Sequence, residues 1–185
     1  MPRRTDTRQR MVRTAADLFH AQGYHATGLN QVLAEGGAPK GSLYFHFPGG
    51  KEQLAVEAIA LAADDLCTAL RAVFESTPDP AQALTKALAL LGDRLERTDF
   101  REGCPISTVA LDAAAESEPI REACVSAYDS WQRVIADHLD GDDDLASVVL
   151  AAIEGAVLLA RTRRDLAPLH AVGTRLAALI GRTSR

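Results

Sequence analysis

The 185-residue chain has none of the sequence marks of the common catalytic machineries: HExxH, CxxC, GxSxG, P-loop and GxGxxG motifs are all missing. Its five histidines, at 20, 25, 46, 138 and 170, form no set with metal-ligand spacing. Neither an enzymatic activity nor a metal nor a cofactor is therefore expected. Cysteine is scarce: Cys67, Cys104 and Cys124 are odd in number, which argues against a disulfide framework and for a reducing compartment. No apolar run follows the basic MPRRTDTRQR, so a secretory signal is not expected. The longest apolar stretch, LASVVLAAIEGAVLLA from Leu145, is broken by Glu154 and short for a membrane span. The chain reads as cytoplasmic, with no membrane partner. Period-two alternation long enough for a sheet is missing, as are repeats and low-complexity tracts.

What is present is Ala and Leu in abundance, with apolar positions every three or four residues, so the fold class is all-α. Hydrophobic residues are 47% of the chain, enough for a real core. The net charge of −5 is unevenly spread. Up to Lys51 there are seven Lys/Arg and three Asp/Glu; beyond it, 13 Lys/Arg and 22 Asp/Glu. A basic head on an acidic body points to a head that alone meets a polyanion.

The spacing predicts a first helix from about Thr5 to Gln22, with Met11, Ala15, Leu18 and Phe19 as its stripe and Gly23 as its stop. A short second helix carries Leu29, Val32 and Leu33, with Gly28 and Gln31 in the positions of an N-cap and its partner. A third is expected from Pro39 or Lys40 to His46, before the break at Pro48-Gly49-Gly50. A long helix then runs from Lys51 to about Ser76, roughly 39 Å at 1.5 Å per residue. Further helices are expected over 80–97, 104–115, 118–139, 145–163 and 166–180. The domains are accordingly 1–50, the basic head, and 51–185, a helical body.

The segment APKGSLYFHFPGGK, 38–51, carries the function. Two short helices joined by a glycine turn, near a basic N-terminus, follow the helix-turn-helix plan. Leu43 and Phe47 are four apart and anchor the third helix, leaving Lys40, Ser42 and Tyr44 on other faces. Gly41 has no Cβ and lets backbone approach a duplex. Tyr44, His46 and Lys51 suit phosphates; Lys40 and Ser42, at the helix start, suit base edges. The competing reading is an aromatic core helix, which the lysines and close glycines disfavour. The basic N-terminal segment PRRTDTR is either a solvated tail or an arm along the DNA backbone.

The stretch GYHATGLNQVLAEGGAPKGSLYFHFPGGKEQL, from Gly23 to Leu54, resembles the DNA-binding domain of TetR-family transcriptional regulators. Its Gly37-Ala38-Pro39 in place of Gly-Val-Ser, its extra glycine after Pro48, and GCPISTVALDAAAESEPIRE from Gly103 all look like the LmrA/YxaF-type subgroup. The resemblance implies a three-helix head, a connecting fourth helix and a helical body with a ligand pocket and a dimer interface. It implies a repressor that binds a palindromic operator in double-stranded DNA as a homodimer and is released by a small-molecule effector. It adds Thr27 and Phe45 to the DNA-binding set of Lys40, Gly41, Ser42, Tyr44, His46 and Lys51.

In the body, Phe74, Phe100, Tyr128 and Trp131 are either core packing or, given the implied cavity, part of its lining; Cys104 is open to both readings. The segment Leu145–Leu159 is apolar on nearly every side, more than one small body can cover. Val149, Ile153 and Val157 there, with Leu176, Leu179 and Ile180 of the last helix, are the expected four-helix dimer interface. An effector-independent DNA-binding protein, or a helical enzyme with a vestigial DNA-binding head, is the alternative.

Overall fold

The structure is a computed structural model that describes residues 4–183, with side chains from 6 to 181. Among these residues every regular element is helical: α1 (Arg4–Gln22), α2 (Leu29–Glu35), α3 (Leu43–His46), α4 (Gly50–Glu75), α5 (Pro80–Arg97), α6 (Ser107–Ala113), α7 (Glu118–Asp137), α8 (Asp143–Arg163) and α9 (Ala167–Thr183). Pro2 and Arg3 of the possible basic arm lie outside the described residues.

The chain forms two compact units, one of residues 1–64 and 105–127, the other of 65–104 and 128–185. The boundary expected at 50/51 thus falls inside the first unit. α4 begins at that point, and its apolar stripe of Leu54, Ala55, Ala58 and Ile59 is buried. The helical pattern gives no local sign that α6, far downstream in sequence at Ser107–Ala113, packs on α1.

In the first unit, α2 and α6 both pack on α1. Met11, Ala15 and Phe19 of α1, Val32 and Leu33 of α2, Leu43 and Phe47 around α3, and Val109 and Ala113 of α6 are buried. The anchor expected of Leu43 and Phe47 is there, at 2% and 0% exposure. Truncating such a side chain costs about 2–5 kcal/mol. The α2 cap falls at Gly28 as expected, but the Gln31 side chain bonds elsewhere. Gly28 is the N-cap without a side-chain bond, and Gln31 instead accepts from Gln22 Nε2 (2.9 Å) and donates to Glu35 (3.0 Å).

The third helix is a single turn, Leu43–His46, and does not begin at Pro39 or Lys40. Residues 39–42 form a turn in which both the backbone N–H and the hydroxyl of Ser42 donate to the Pro39 carbonyl, at 2.9 and 2.7 Å. Gly41 disfavours helix, and the Ser42 hydroxyl offers the backbone an alternative partner. The segment 104–115 is also shorter than expected, α6 starting only at Ser107 after Pro105.

In the second unit α5, α8 and α9 pack on one another. Asp79 caps α5 by accepting from Gln82 N–H (2.7 Å), with Pro80 in the first turn; Asp142 caps α8 by accepting from Leu145 N–H (2.8 Å). Gly173 brings α9 close to α5: a Cβ there would meet Leu88 Cδ1 at 2.9 Å. By length and composition α8 could cross a membrane, its most apolar window averaging 1.7 in hydropathy. Six of its residues nevertheless lie in the core of this unit: Ala146, Val149, Ile153, Ala156, Val157 and Ala160.

Five of the six residues expected at the interface belong to the core of their own chain, and the sixth, Leu179, is exposed. Val149, Ile153, Val157, Leu176 and Ile180 are each 7% exposed or less within their own chain and have almost no surface left to give a partner. Helical periodicity identified the apolar helices correctly, but a helix apolar all round does not reveal which face its own chain takes. The apolar residues left outside are Val148, Leu158 and Leu159 on α8 and Leu179 on α9, between 38% and 56% exposed.

Candidate nucleic-acid interface

Tyr44 and Phe45 stand out from α3 at 69% and 61% exposure, while Leu43 and Phe47 on either side of them are buried. The alternation follows from a single helical turn pinned at both ends. Phe47 N–H donates to Leu43 carbonyl at 2.7 Å, so the two apolar side chains fall together and the pair between them faces out. Lys40 and Gly41 are exposed beside them; Ser42 and His46 are half-buried. The His46 ring meets Phe45 edge-on, with centroids 5.1 Å apart. Two exposed aromatics beside a lysine give a surface able to stack, donate hydrogen bonds and attract phosphate.

Lys51, in the first turn of α4, is half-buried, with Nζ 4.4 Å from the centre of the Tyr24 ring. Burial lowers its pKa, and the charge of Asp112 acts in the opposite sense. Burial likewise raises the pKa of Tyr24, with a smaller push from Glu52. Thr27 is wholly buried. Its hydroxyl donates to Gly23 carbonyl (2.7 Å) and accepts from Gln22 Nε2 (3.2 Å). Thr27 thus holds the turn between α1 and α2, a job the local sequence does not distinguish from that of an exposed hydroxyl.

Several residues that steady this surface were not singled out from the sequence. Gln22 bonds the carbonyl of Ala26 as well as Thr27 and Gln31. Gln53 accepts from Gly49 N–H (2.9 Å) and donates to Glu57 (3.1 Å), which in turn pairs with Arg8 (2.6 Å). The guanidinium of Arg8 lies 5.1 Å from the centre of the Phe47 ring. The four-residue steps Gly49, Gln53, Glu57 are a signal that could have found this chain. Asp112 and Ser117 could not have been found that way. Asp112 accepts from His25 N–H (2.7 Å), 87 residues away, and Ser117 donates to Glu52 (2.7 Å), 65 away.

The five positions named for a small molecule all belong to the second unit. Phe74, Cys104 and Trp131 are buried, and Phe100 and Tyr128 half-buried. Phe74 packs on His138 (centroids 4.9 Å apart) and Tyr128 meets Trp131 edge-on (5.6 Å). A cleft of about 480 Å³ opens between α5 and α9, bordered by Leu88, Ala89, Asp93, Leu169 and His170 among others, and none of the five lines it. All three cysteines are free and buried, and burial pushes the Cys124 thiol up to about 11. Among the described residues no group of three or more His, Cys, Asp or Glu is placed to hold a metal ion.

Comparison with known proteins bears on the same regions. Residues 12–58 match the family "Bacterial regulatory proteins, tetR family", and 80–175 match "Transcriptional regulator LmrA/YxaF-like, C-terminal domain". The chain is 38% identical to the HTH-type transcriptional regulator LmrA of Bacillus subtilis (strain 168), over 96% of its own length and 98% of the relative's. A TetR transcriptional regulator from Chloroflexus aurantiacus J-10-FL superposes with a TM-score of 0.82 at 29% identity, covering 96% of this chain and 95% of that one. A cysteine mutant of the TetR-family regulator CifR, solved with 26-bp double-strand operator DNA, superposes with a TM-score of 0.78 at 24% identity, covering 92% of this chain and 94% of that one. With both halves matched and a full-length relative well above 30% identity, the chain belongs to the TetR family of DNA-binding transcriptional regulators, in its LmrA/YxaF-like branch.

Proposed function

We propose that the protein is a cytoplasmic repressor that binds a palindromic operator as a homodimer and is released by a small-molecule effector. The observation that carries the reading is the outward pair Tyr44 and Phe45, held on a one-turn helix by buried Leu43 and Phe47 in the basic part of the chain. An exposed aromatic pair offers an apolar surface that fits a groove. Tyr44, His46 and Lys51 contact phosphates; Lys40 and Ser42 meet base edges, with Gly41 and Phe45 against the duplex wall. Thr27 contributes by fixing the turn.

The dimer uses the outer faces of α8 and α9, with Val148, Leu158, Leu159 and Leu179, in place of the inner residues the spacing suggested. Four helices packed about a two-fold axis cover these apolar side chains and present two heads to successive major grooves, roughly 34 Å apart. The effector occupies the second unit among Phe74, Phe100, Cys104, Tyr128 and Trp131, and it relieves repression by binding the DNA-free state more tightly than the bound one.

The test is fluorescence anisotropy with the duplex upstream of the protein's own coding region, followed by a small-molecule thermal-shift screen. Saturable, palindrome-dependent binding that a hit reverses is expected. Binding that no stabilising compound weakens would leave an effector-independent DNA binder.

A further inference from the structure

One cluster in the first unit is unused by the reading above. The turn Gly23–His25 and the start of α4 are tied to α6 and the segment after it by several polar groups. Asp112 Oδ2 accepts from His25 N–H at 2.7 Å, and Gly23, at φ +86°, leaves it room: a Cβ there would meet the same oxygen at 3.0 Å. Next to it, Ser117 donates to Glu52 (2.7 Å) and His25 Nε2 stands 3.4 Å from Glu116. Tyr24, between the two residues that Asp112 approaches, carries the Lys51 ammonium over its ring. The charge of Asp112 acts on that ammonium in the sense that opposes its burial. A negative charge is an odd neighbour for a group meant to receive phosphate, since it repels the phosphate as well as holding the cation.

We propose that Asp112 is a positioning residue for DNA binding: its carboxylate fixes the Gly23–His25 turn and, through its charge, restrains Lys51 from a DNA phosphate. The proposal rests on Lys51 being a phosphate contact. It makes α6 a source of control over the affinity of the head, with the geometric part and the charge part of the restraint separable by substitution.

Asp112→Asn keeps an oxygen acceptor for His25 N–H and removes the charge. Anisotropy titrations at 0.1 M salt should find this variant binding duplex about two- to threefold tighter than wild type, as expected for one charge acting through several ångströms of wet protein. The gain should vanish in a Lys51→Ala background and shrink as salt is raised. Glu116→Gln removes the same charge from a residue facing His25 and should gain less. Thermal melts of each variant check folding, and Asp112→Ser serves as the second charge-neutral variant if the first melts early. Unchanged or weaker binding by a folded Asp112→Asn overturns the restraint. An equal gain in the Lys51→Ala background, or from Glu116→Gln, also overturns it, as a plain net-charge effect. If Lys51→Ala alone binds like wild type, the phosphate reading of Lys51 fails and the restraint falls with it.

Discussion

The two units each have an apolar core and differ in where their long-range polar ties lie. In the first, beside the buried Met11, Phe19, Leu43 and Phe47, polar ties brace the elements that carry the outward surface: Arg8 to Glu57, Gln22 to Gln31, His25 to Asp112 and Ser117 to Glu52. In the second, α5, α8 and α9 meet through Leu84, Leu88, Val149, Ile153, Leu169 and Leu176, with Gly173 admitting close approach, and the long-range polar ties, Arg164 to Asp99 and His138 to Thr77, join residues outside the helices. Apolar packing is strong but non-directional, whereas hydrogen bonds fix orientation. A unit that must present Tyr44 and Lys40 at set angles needs the second kind. A unit built mainly for stable helix packing does well with the first.

The comparison breaks most severely in the second unit. Leu176→Arg puts an unpaired charge at a site 6% exposed and should cost more than about 4 kcal/mol, so that urea melts find no folded second unit. Phe47→Ala in the first unit should cost about 3–5 kcal/mol and abolish DNA binding along with the α3 anchor. Leu158→Glu, on the outer face of α8, should leave protomer stability within about 1 kcal/mol of wild type while sedimentation at micromolar concentration finds a monomer. A stable dimer of this variant would send the interface elsewhere. Thr27→Val should cost about 1–2 kcal/mol by leaving the Gly23 carbonyl without its hydroxyl donor.

The smallest effect is one of pH. The Cys124 thiol is pushed from 9.0 to about 11 by burial, so the native state holds its proton where the unfolded chain has lost it. Its contribution is complete below pH 9 and is lost as pH rises through about 11. Urea midpoints of Cys124→Ala should fall less steeply over that window than those of wild type.

How far the sequence could be read follows the same division. Helices with a single stripe and a capping residue were legible: α5 begins at Pro80 and ends at Arg97 as the turn and periodicity predict. So was the anchor formed by Leu43 and Phe47, because four-residue spacing is a local fact. The length of α3 was misjudged because Gly41 and the Ser42 hydroxyl compete with the helix that Pro39 could have begun. The inner and outer faces of α8 could not be separated, since Val148 and Val149 are chemically alike and only tertiary packing buries one and exposes the other. The polar ties of the first unit join residues up to 87 apart, beyond the reach of any periodicity.

The central claim is that the outward face of α3 binds DNA, and Tyr44 tests it most directly. Anisotropy of a labelled operator duplex, titrated with wild type and Tyr44→Ala between 50 and 200 mM salt, should give a steep fall of affinity with salt for wild type, about −0.9 in log–log slope for each phosphate neutralised. Tyr44→Ala should bind at least about tenfold more weakly at every salt concentration, with an unchanged melting temperature, since its side chain is 69% exposed. Equal affinity of the two proteins, both folded, would contradict the account.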